Sequence, residues 1–118
     1  MQNALTNYEY VCNKSKFIAL AYQVTTIEAA HQVLAELAQR HKHARHICFA
    51  YQIGPQAKYS DAGEPKGTAG RPLYHLLSGA NLDNIIIVVV RYFGGTKLGR
   101  GRLLRSYVQA AQGALQQL

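Results

Sequence analysis

Residues 85–102 have the sequence IIIVVVRYFGGTKLGRGR, in which an aliphatic run leads directly into a glycine-rich basic segment. Aliphatic side chains on both faces of residues 85–91 predict a strand that is covered on both sides or lies at the centre of a sheet. The glycines of residues 94–101 predict a tight turn. Residues 102–118 then carry apolar side chains at helical spacing, so a strand, a turn and an amphipathic helix are expected in that order.

The other elements are predicted from periodicity on either side of this segment. Alternation predicts strands over residues 6–12, 17–24 and 46–53, with a short edge strand at Tyr59. Helices are predicted from a capping box at Thr25 to about Arg40, and from Pro72 to Gly79. The expected buried stripe of the last helix comprises Leu104, Val108, Ala111 and Leu115. Strands and helices mixed in this order, after an initial hairpin, favour an α+β two-layer sandwich.

The composition limits the class of protein. A chain of 118 residues is expected to form one domain, and 48% apolar with 16% charged residues argues against a disordered chain or a coiled coil. The longest aliphatic run is too short to span a bilayer, and no secretory signal is visible at the N-terminus. Two cysteines do not make a disulfide framework, so we expect a cytoplasmic protein with reduced thiols.

Charge is the most informative part of the composition. The formal net charge is +7, and residues 84–118 contain no acidic side chain. A basic domain of this size favours polyanionic partners such as nucleic acid, a ribosome or an acidic protein surface. Many small soluble proteins are basic for no specific reason, and that alternative stays open.

The basic turn after the buried strand is the first candidate site. Its candidate anion-binding residues are Arg91, Gly94, Gly95, Thr96, Lys97, Arg100, Arg102 and Arg105. Free backbone N–H groups at a helix start, close approach at glycines and basic side chains together suit a phosphate. The glycines could instead serve only a tight turn, and the spacing of a Walker A loop is absent. Tyr92, Phe93 and Tyr107 interleave with these arginines, either to stack on bases or to pack in the core.

The loop of residues 60–70 is the second candidate. Its possible recognition residues are Asp61, Glu64, Lys66, Thr68 and, directly after it, Arg71. A carboxylate beside hydroxyls could act as a catalytic base, but the loop contains no histidine. Turn formation, helix capping or an ion pair to Arg71 or Arg91 is the simpler interpretation of the two acids.

A third segment, residues 41–48, contains three histidines and Cys48. His46 and Cys48 are expected on the same face of a strand, yet Lys42 and Arg45 among them oppose a cation. A solvated connection between a helix and a strand explains this segment better. We therefore expect neither a metal nor a cofactor.

Several of these segments together resemble the N-terminal domain of the IMPACT/YigZ family. The resemblance runs in order through KSKFIA (14–19), ARHICFAY (44–51), SDAGEPKGTAGRP (60–72), residues 84–99 and LRSY (104–107). It implies the fold shared with the second domain of a small-subunit ribosomal protein and with domain IV of elongation factor G. That fold includes a left-handed βαβ crossover, against the usual handedness.

The sequence also departs from the family pattern at several positions. Ala62 stands where the family commonly has a second acid, and Arg100 and Arg102 stand where small residues are usual. Bacterial relatives usually continue into a ferredoxin-like second domain, which residues 1–118 do not include. The chain is therefore either one domain of a longer protein or a naturally short member.

Two functions are compatible with these observations. The first is a non-catalytic cytoplasmic binding module related to translation regulation, which binds RNA, the ribosome or a translation-control protein through the basic turn. The eukaryotic branch of the family implies the translation link, although a fold alone does not fix a function. The alternative is a small hydrolase-type enzyme with an anion pocket at the same turn, in which Asp61, Glu64 and Thr68 would meet the amides of Gly94 and Gly95.

Overall fold

A computed structural model describes residues 3–118 of the chain. These residues form five strands, which are β1 (Thr6–Cys12), β2 (Ser15–Gln23), β3 (His46–Ile53), β4 (Gln56–Ser60) and β5 (Ile85–Tyr92). They also form three helices, which are α1 (Ile27–Arg40), α2 (Gly70–Gly79) and α3 (Arg100–Leu115). The strands make one sheet in the order β1-β2-β5-β3-β4, and all neighbouring strands are antiparallel. The predicted α+β class is confirmed.

Strand β5 lies at the centre of the sheet, as its sequence predicts. Ile85, Ile87 and Val89 face the layer formed by α2 and α3. The alternate residues of β5, from Ile86 to Val90, face α1 on the other side. Full burial of an aliphatic side chain stabilises a fold by roughly 1.5–3 kcal/mol, so this strand makes a large contribution to both cores.

Helices cover both faces of the sheet, so a helical layer lies on either side of β5. Helix α1 buries Ala30, Val33 and Leu37 against one side, and α2 with α3 cover the other. The physical reason is β5 itself, because a strand that is apolar on both faces needs cover on both. Strands β2 and β3 flank β5 and run parallel to each other, and α1 connects them.

Helix α3 differs from its prediction in both its bounds and its buried face. It begins at Arg100 rather than at Arg102 and ends at Leu115 rather than at Leu118. Its buried residues are Leu103, Ser106, Tyr107, Ala110, Ala111 and Ala114. Leu104 is exposed instead of buried, because small alanines at the contact let the helix lie close to the sheet on a face one residue away from the predicted stripe.

Two close contacts tie the early part of the chain to the late part. Helix α3 packs across β1 and β2, and a Cβ at Gly113 would lie 2.2 Å from the ring of Tyr8. The side chain of Gln117 also donates a 3.0 Å hydrogen bond to the carbonyl of Asn7. The first strand is therefore held by the last helix.

The start of α1 corrects a second detail of the prediction. The N-cap is Thr26 rather than Thr25, and its hydroxyl accepts a 3.0 Å hydrogen bond from the backbone N–H of Ala29. Both threonines suit a cap, so residue type alone does not distinguish between them. Within residues 3–118, no helix combines the length and the apolar character that crossing a membrane requires.

Candidate anion-binding cleft

A cleft of about 350 Å³ lies where the end of β5 meets the loop before α2 and the start of α3. Its lining residues are Arg45, His46, Gly63, Glu64, Pro65, Arg91, Phe93, Lys97, Leu98, Gly99, Arg100 and Leu103. The fold brings together here the basic turn, the 60–70 loop and the segment before β3. These three stretches are the ones that the sequence singles out.

The charged side chains that line the cleft are predominantly cationic. Among the described residues that line it, four are basic, namely Arg45, Arg91, Lys97 and Arg100. The single carboxylate in the lining belongs to Glu64, and Arg91 already neutralises it. Such a cavity favours an anionic ligand, since little of its positive charge is compensated from within the protein.

A buried ion pair forms the floor of the cleft. Nη1 of Arg91 donates to both carboxylate oxygens of Glu64, at 2.9 Å and 2.7 Å, and both residues are buried. The hydroxyl of Tyr107 donates a 2.5 Å hydrogen bond to the same carboxylate. Burial raises the pKa of Tyr107, so its hydroxyl stays protonated and acts as a donor. Nε of Arg91 is buried and has no partner among the described residues.

Cys48 and His46 extend this network along β3. The Cys48 thiol lies 3.2 Å from the carbonyl of Asp61 and 3.3 Å from the Tyr107 hydroxyl. Burial raises the pKa of Cys48 to about 12, which keeps the thiol neutral and a poor nucleophile. His46 lies 2.7 Å from the carbonyl of Ala62 through Nδ1 and 3.5 Å from Glu64 through Nε2. Both side chains therefore connect β3 to the 60–70 loop.

Asp61 organises that loop and the start of α2. Its Oδ1 accepts hydrogen bonds from the backbone N–H groups of Ala69 and Gly70, and its Oδ2 accepts one from Gly67, all within 2.8–3.1 Å. Partial burial pushes the pKa of Asp61 upward, but these three N–H donors and the charge of Arg100 outweigh it and lower the pKa. The carboxylate is thus occupied as a helix cap.

The remaining loop residues also have local partners. Thr68 is fully buried, and its hydroxyl donates to the carbonyl of Pro65. The guanidinium of Arg100 donates a 2.5 Å hydrogen bond to the carbonyl of Lys66 and so fastens the loop to α3. Arg71 faces away from the cleft, into a groove that also contains Leu104 and Val108.

The glycines of the basic turn have different roles. A Cβ at Gly94 would lie 2.2 Å from the carbonyl carbon of Lys14, and the Gly94 N–H donates to the hydroxyl of Ser15. Gly94 therefore serves close packing against the β1–β2 turn, and its amide is not available to a phosphate. Gly95 and Gly99 have φ values of +89° and +79°, which favour glycine, and both are exposed.

Most of the groups that the hydrolase alternative would use at this turn have structural partners. The amide of Gly94 and the carboxylates of Asp61 and Glu64 all have structural partners. Tyr107, predicted either to stack on bases or to pack in the core, is fully buried and belongs to the core.

The start of α3 is electrostatically unusual. Its N-cap, Gly99, provides no side-chain hydrogen bond, and its first turn contains no acidic residue. Arg100 and Arg102 instead place positive charge at the positive end of the helix dipole, which is unfavourable without an anion. Thr96, Lys97, Arg102 and Arg105 are exposed around it.

Arg45 was not singled out as a ligand residue by the sequence. It directly precedes β3, and its backbone N–H donates to the carbonyl of Arg91. Its guanidinium carbon lies 4.8 Å from the ring centroid of Phe93, whose side chain is 39% exposed. The pairing of β3 with β5 is the signal that would place it here, because His46 and Arg91 are opposite each other. Among residues 3–118, no three His, Cys, Asp or Glu side chains lie close enough to hold a metal ion.

Comparison with known proteins identifies the family. The model of the Impact N-terminal domain matches residues 13–115. The chain belongs to the IMPACT family. The resemblance predicted from the motifs is thereby confirmed, and the two long motifs that form the cleft both lie within the matched range.

Relatives in the IMPACT family include bacterial proteins of greater length. An IMPACT family member of Thermus thermophilus is 44% identical over 105 residues, which cover 89% of this chain and 57% of that protein. YigZ of Escherichia coli is 40% identical over 110 residues, covering 89% of this chain and 54% of YigZ. The chain thus spans about half the length of the curated relatives it matches.

Solved structures agree with the fold. The crystal structure of a hypothetical protein matches with a TM-score of 0.93 and 36% identity, covering all of this chain and 60% of that chain. Yih1, described as a two-domain translational regulator, matches with a TM-score of 0.57 and 24% identity. The match covers 98% of this chain and 46% of the Yih1 chain, and at this identity it shows a shared fold.

Proposed function

We propose that this chain is a cytoplasmic binding module of a protein that regulates translation, and that it binds RNA through the phosphate backbone. The description of Yih1 as a translational regulator supports the link to translation. Membership of the IMPACT family supports the transfer of that link to this chain. The ribosome is the RNA-containing partner in which such an interaction would take place. A translation-control protein is the alternative partner.

The observation that carries the proposal is a group of five exposed basic residues at the cleft and at the start of α3. Three of the five, Arg45, Lys97 and Arg100, line the cleft, and Arg102 and Arg105 are exposed on the first two turns of α3. We call these five residues the basic surface. Contacts of this kind position a nucleic acid without reading its sequence, so modest sequence specificity is expected.

The test is binding of labelled single-stranded RNA, measured by fluorescence anisotropy over a series of salt concentrations. Neutralising about five phosphates predicts a slope of log K against log salt of about −3 to −4. Lys97→Gln with Arg102→Gln should make the slope shallower by about 1.4, since each lost phosphate contact contributes about 0.7. An unchanged slope in this double variant would overturn the assignment to the basic surface.

A matched control removes the same kind of charge elsewhere. Lys58 is exposed on β4, at the edge of the sheet and outside the cleft lining. Lys58→Gln should leave the slope unchanged. A loss of about 0.7 in this variant, the same per charge as in the double variant, would indicate a response to net charge alone and would contradict a localised site.

A further inference from the structure

We propose that the cleft holds one unpaired nucleotide of the bound RNA, with its base against the Phe93–Arg45 pair and its phosphate at the start of α3. This inference rests on the proposed function and names the part of the RNA that the site takes. It separates two kinds of contact, since the basic surface binds any phosphate backbone, whereas the cleft requires a base that is free to enter.

The base position follows from Phe93. Phe93 is 39% exposed although it follows a buried strand, and the guanidinium carbon of Arg45 lies 4.8 Å from its ring centroid. Aromatic rings and arginine planes are the two surfaces on which proteins stack unpaired bases. The neighbouring apolar wall consists of Leu98 and Leu103, which line the same cleft.

The phosphate position follows from two independent observations. The first turn of α3 has no side-chain cap and no acid, and Gly99 and Arg100 at its start line the cleft. The second is Arg91, which lines the same cleft and is 5% exposed, and whose buried Nε has no partner among the described residues. A phosphate at this place would interact favourably with the positive end of the α3 dipole and with the charges of Lys97 and Arg100, which line the same cleft.

The size of the cleft limits the ligand to one nucleotide. Its volume of about 350 Å³ lies near the lower end of the range of about 300–1,000 Å³ for small-molecule sites. In a duplex, both faces of every base are already stacked and its pairing edge is occupied. Entry of a base therefore requires a single strand or an unpaired end.

Affinity for paired and unpaired RNA is the first readout. A single-stranded RNA should bind about 10-fold more tightly than the same strand annealed to its complement, which is the effect of stacking one base. Phe93→Leu should remove this preference while leaving the salt slope of the single strand unchanged, and Phe93→Tyr should retain it. Tyr59→Ala, which alters an exposed aromatic side chain outside the cleft lining, is the control and should change nothing.

Methyl NMR supplies a readout that does not depend on long RNA. Adenosine monophosphate should shift the methyl resonances of Leu98 and Leu103 by the ring current of its base, and ribose 5-phosphate should not. Equal affinity for single strand and duplex, with the salt slope of the basic surface intact, would overturn the nucleotide site and leave the proposed function standing. Absence of salt-dependent RNA binding would overturn the proposed function, and the nucleotide site with it.

Discussion

Arg91 and Glu64 form a buried ion pair in which Nη1 of Arg91 lies 2.9 Å and 2.7 Å from the two carboxylate oxygens of Glu64. The arginine comes from the end of the central strand, and the glutamate comes from the loop before α2. The pair therefore fixes the loop against the sheet and shapes the floor of the cleft. Removal of either partner leaves the other charge buried without compensation.

The first prediction concerns the stability that this pair confers. Glu64→Gln should lower the free energy of unfolding by about 3–5 kcal/mol, because it leaves the Arg91 charge buried without a counter-charge. Urea denaturation measures the change. In a double-mutant cycle, Glu64→Gln with Arg91→Met should cost clearly less than the sum of the single changes. Glu9→Gln removes an exposed acid and should stay within about 0.5 kcal/mol of the parent.

The second prediction concerns pH and Asp61. Because the pKa of Asp61 in the folded state is lowered, its stabilising effect is complete above the ordinary value of 3.8 and is lost as pH falls through the lowered value. Asp61→Asn should lower the free energy of unfolding by about 1.5–3 kcal/mol at pH 7. The difference should shrink steadily below about pH 4, and thermal unfolding across pH 2–7 would show it. A difference that is independent of pH would contradict the charged cap.

The third prediction concerns thiol reactivity. With a pKa of about 12, Cys48 carries almost no thiolate at pH 8, whereas Cys12 is partly exposed. A disulfide reagent should therefore react with one thiol of the native protein, and the second should react only in denaturant. Cys12→Ser should abolish the fast reaction. Because the pKa of Cys48 is raised in the folded state, its stabilising contribution to the free energy of unfolding is complete below the ordinary thiol value of 9.0. That contribution is lost as pH rises from 9.0 towards about 12.

The fourth prediction separates two glycines. Gly94→Ala would place a Cβ 2.2 Å from backbone of the β1–β2 turn, so it should lower the free energy of unfolding by about 1–3 kcal/mol. Gly79→Ala meets nothing within 4 Å at the end of α2 and should be neutral or stabilising by up to about 1 kcal/mol. Chemical denaturation of both variants measures the two changes in the free energy of unfolding. Equal effects would show that the close approach at Gly94 is relieved without cost.

Much of the fold is predictable from local sequence. The strands over residues 6–12 and 46–53 have the predicted bounds, and β5 is the doubly covered central strand that its aliphatic run indicates. The misplaced face of α3 has a physical cause. Its contact surface is built from small residues such as Ala110 and Ala114, which contribute little to a hydrophobic pattern. Leu104 contributes strongly to that pattern but is exposed in the structure.

The candidate site is predictable only in part. The basic turn and the 60–70 loop are conspicuous in sequence, and an ion pair between Glu64 and Arg91 is one of the partners the sequence suggests. The contributions of Arg45 and Tyr107 depend on strand register and on the helical face, which are set by the whole fold. Local sequence therefore identifies the segments of the site but not which of their side chains meet.

The contact between Tyr8 and Gly113 has a consequence for the order in which the chain can fold during synthesis. Strand β1, at one edge of the sheet, is synthesised first, whereas the face of α3 that contacts the Tyr8 ring is synthesised last. Until α3 leaves the ribosome, one side of the nascent sheet, including alternate residues of β5, has only α2 to cover it. Long-range closure of this kind is slow and exposes apolar surface, so folding of this unit is expected to be completed in one late step rather than strand by strand.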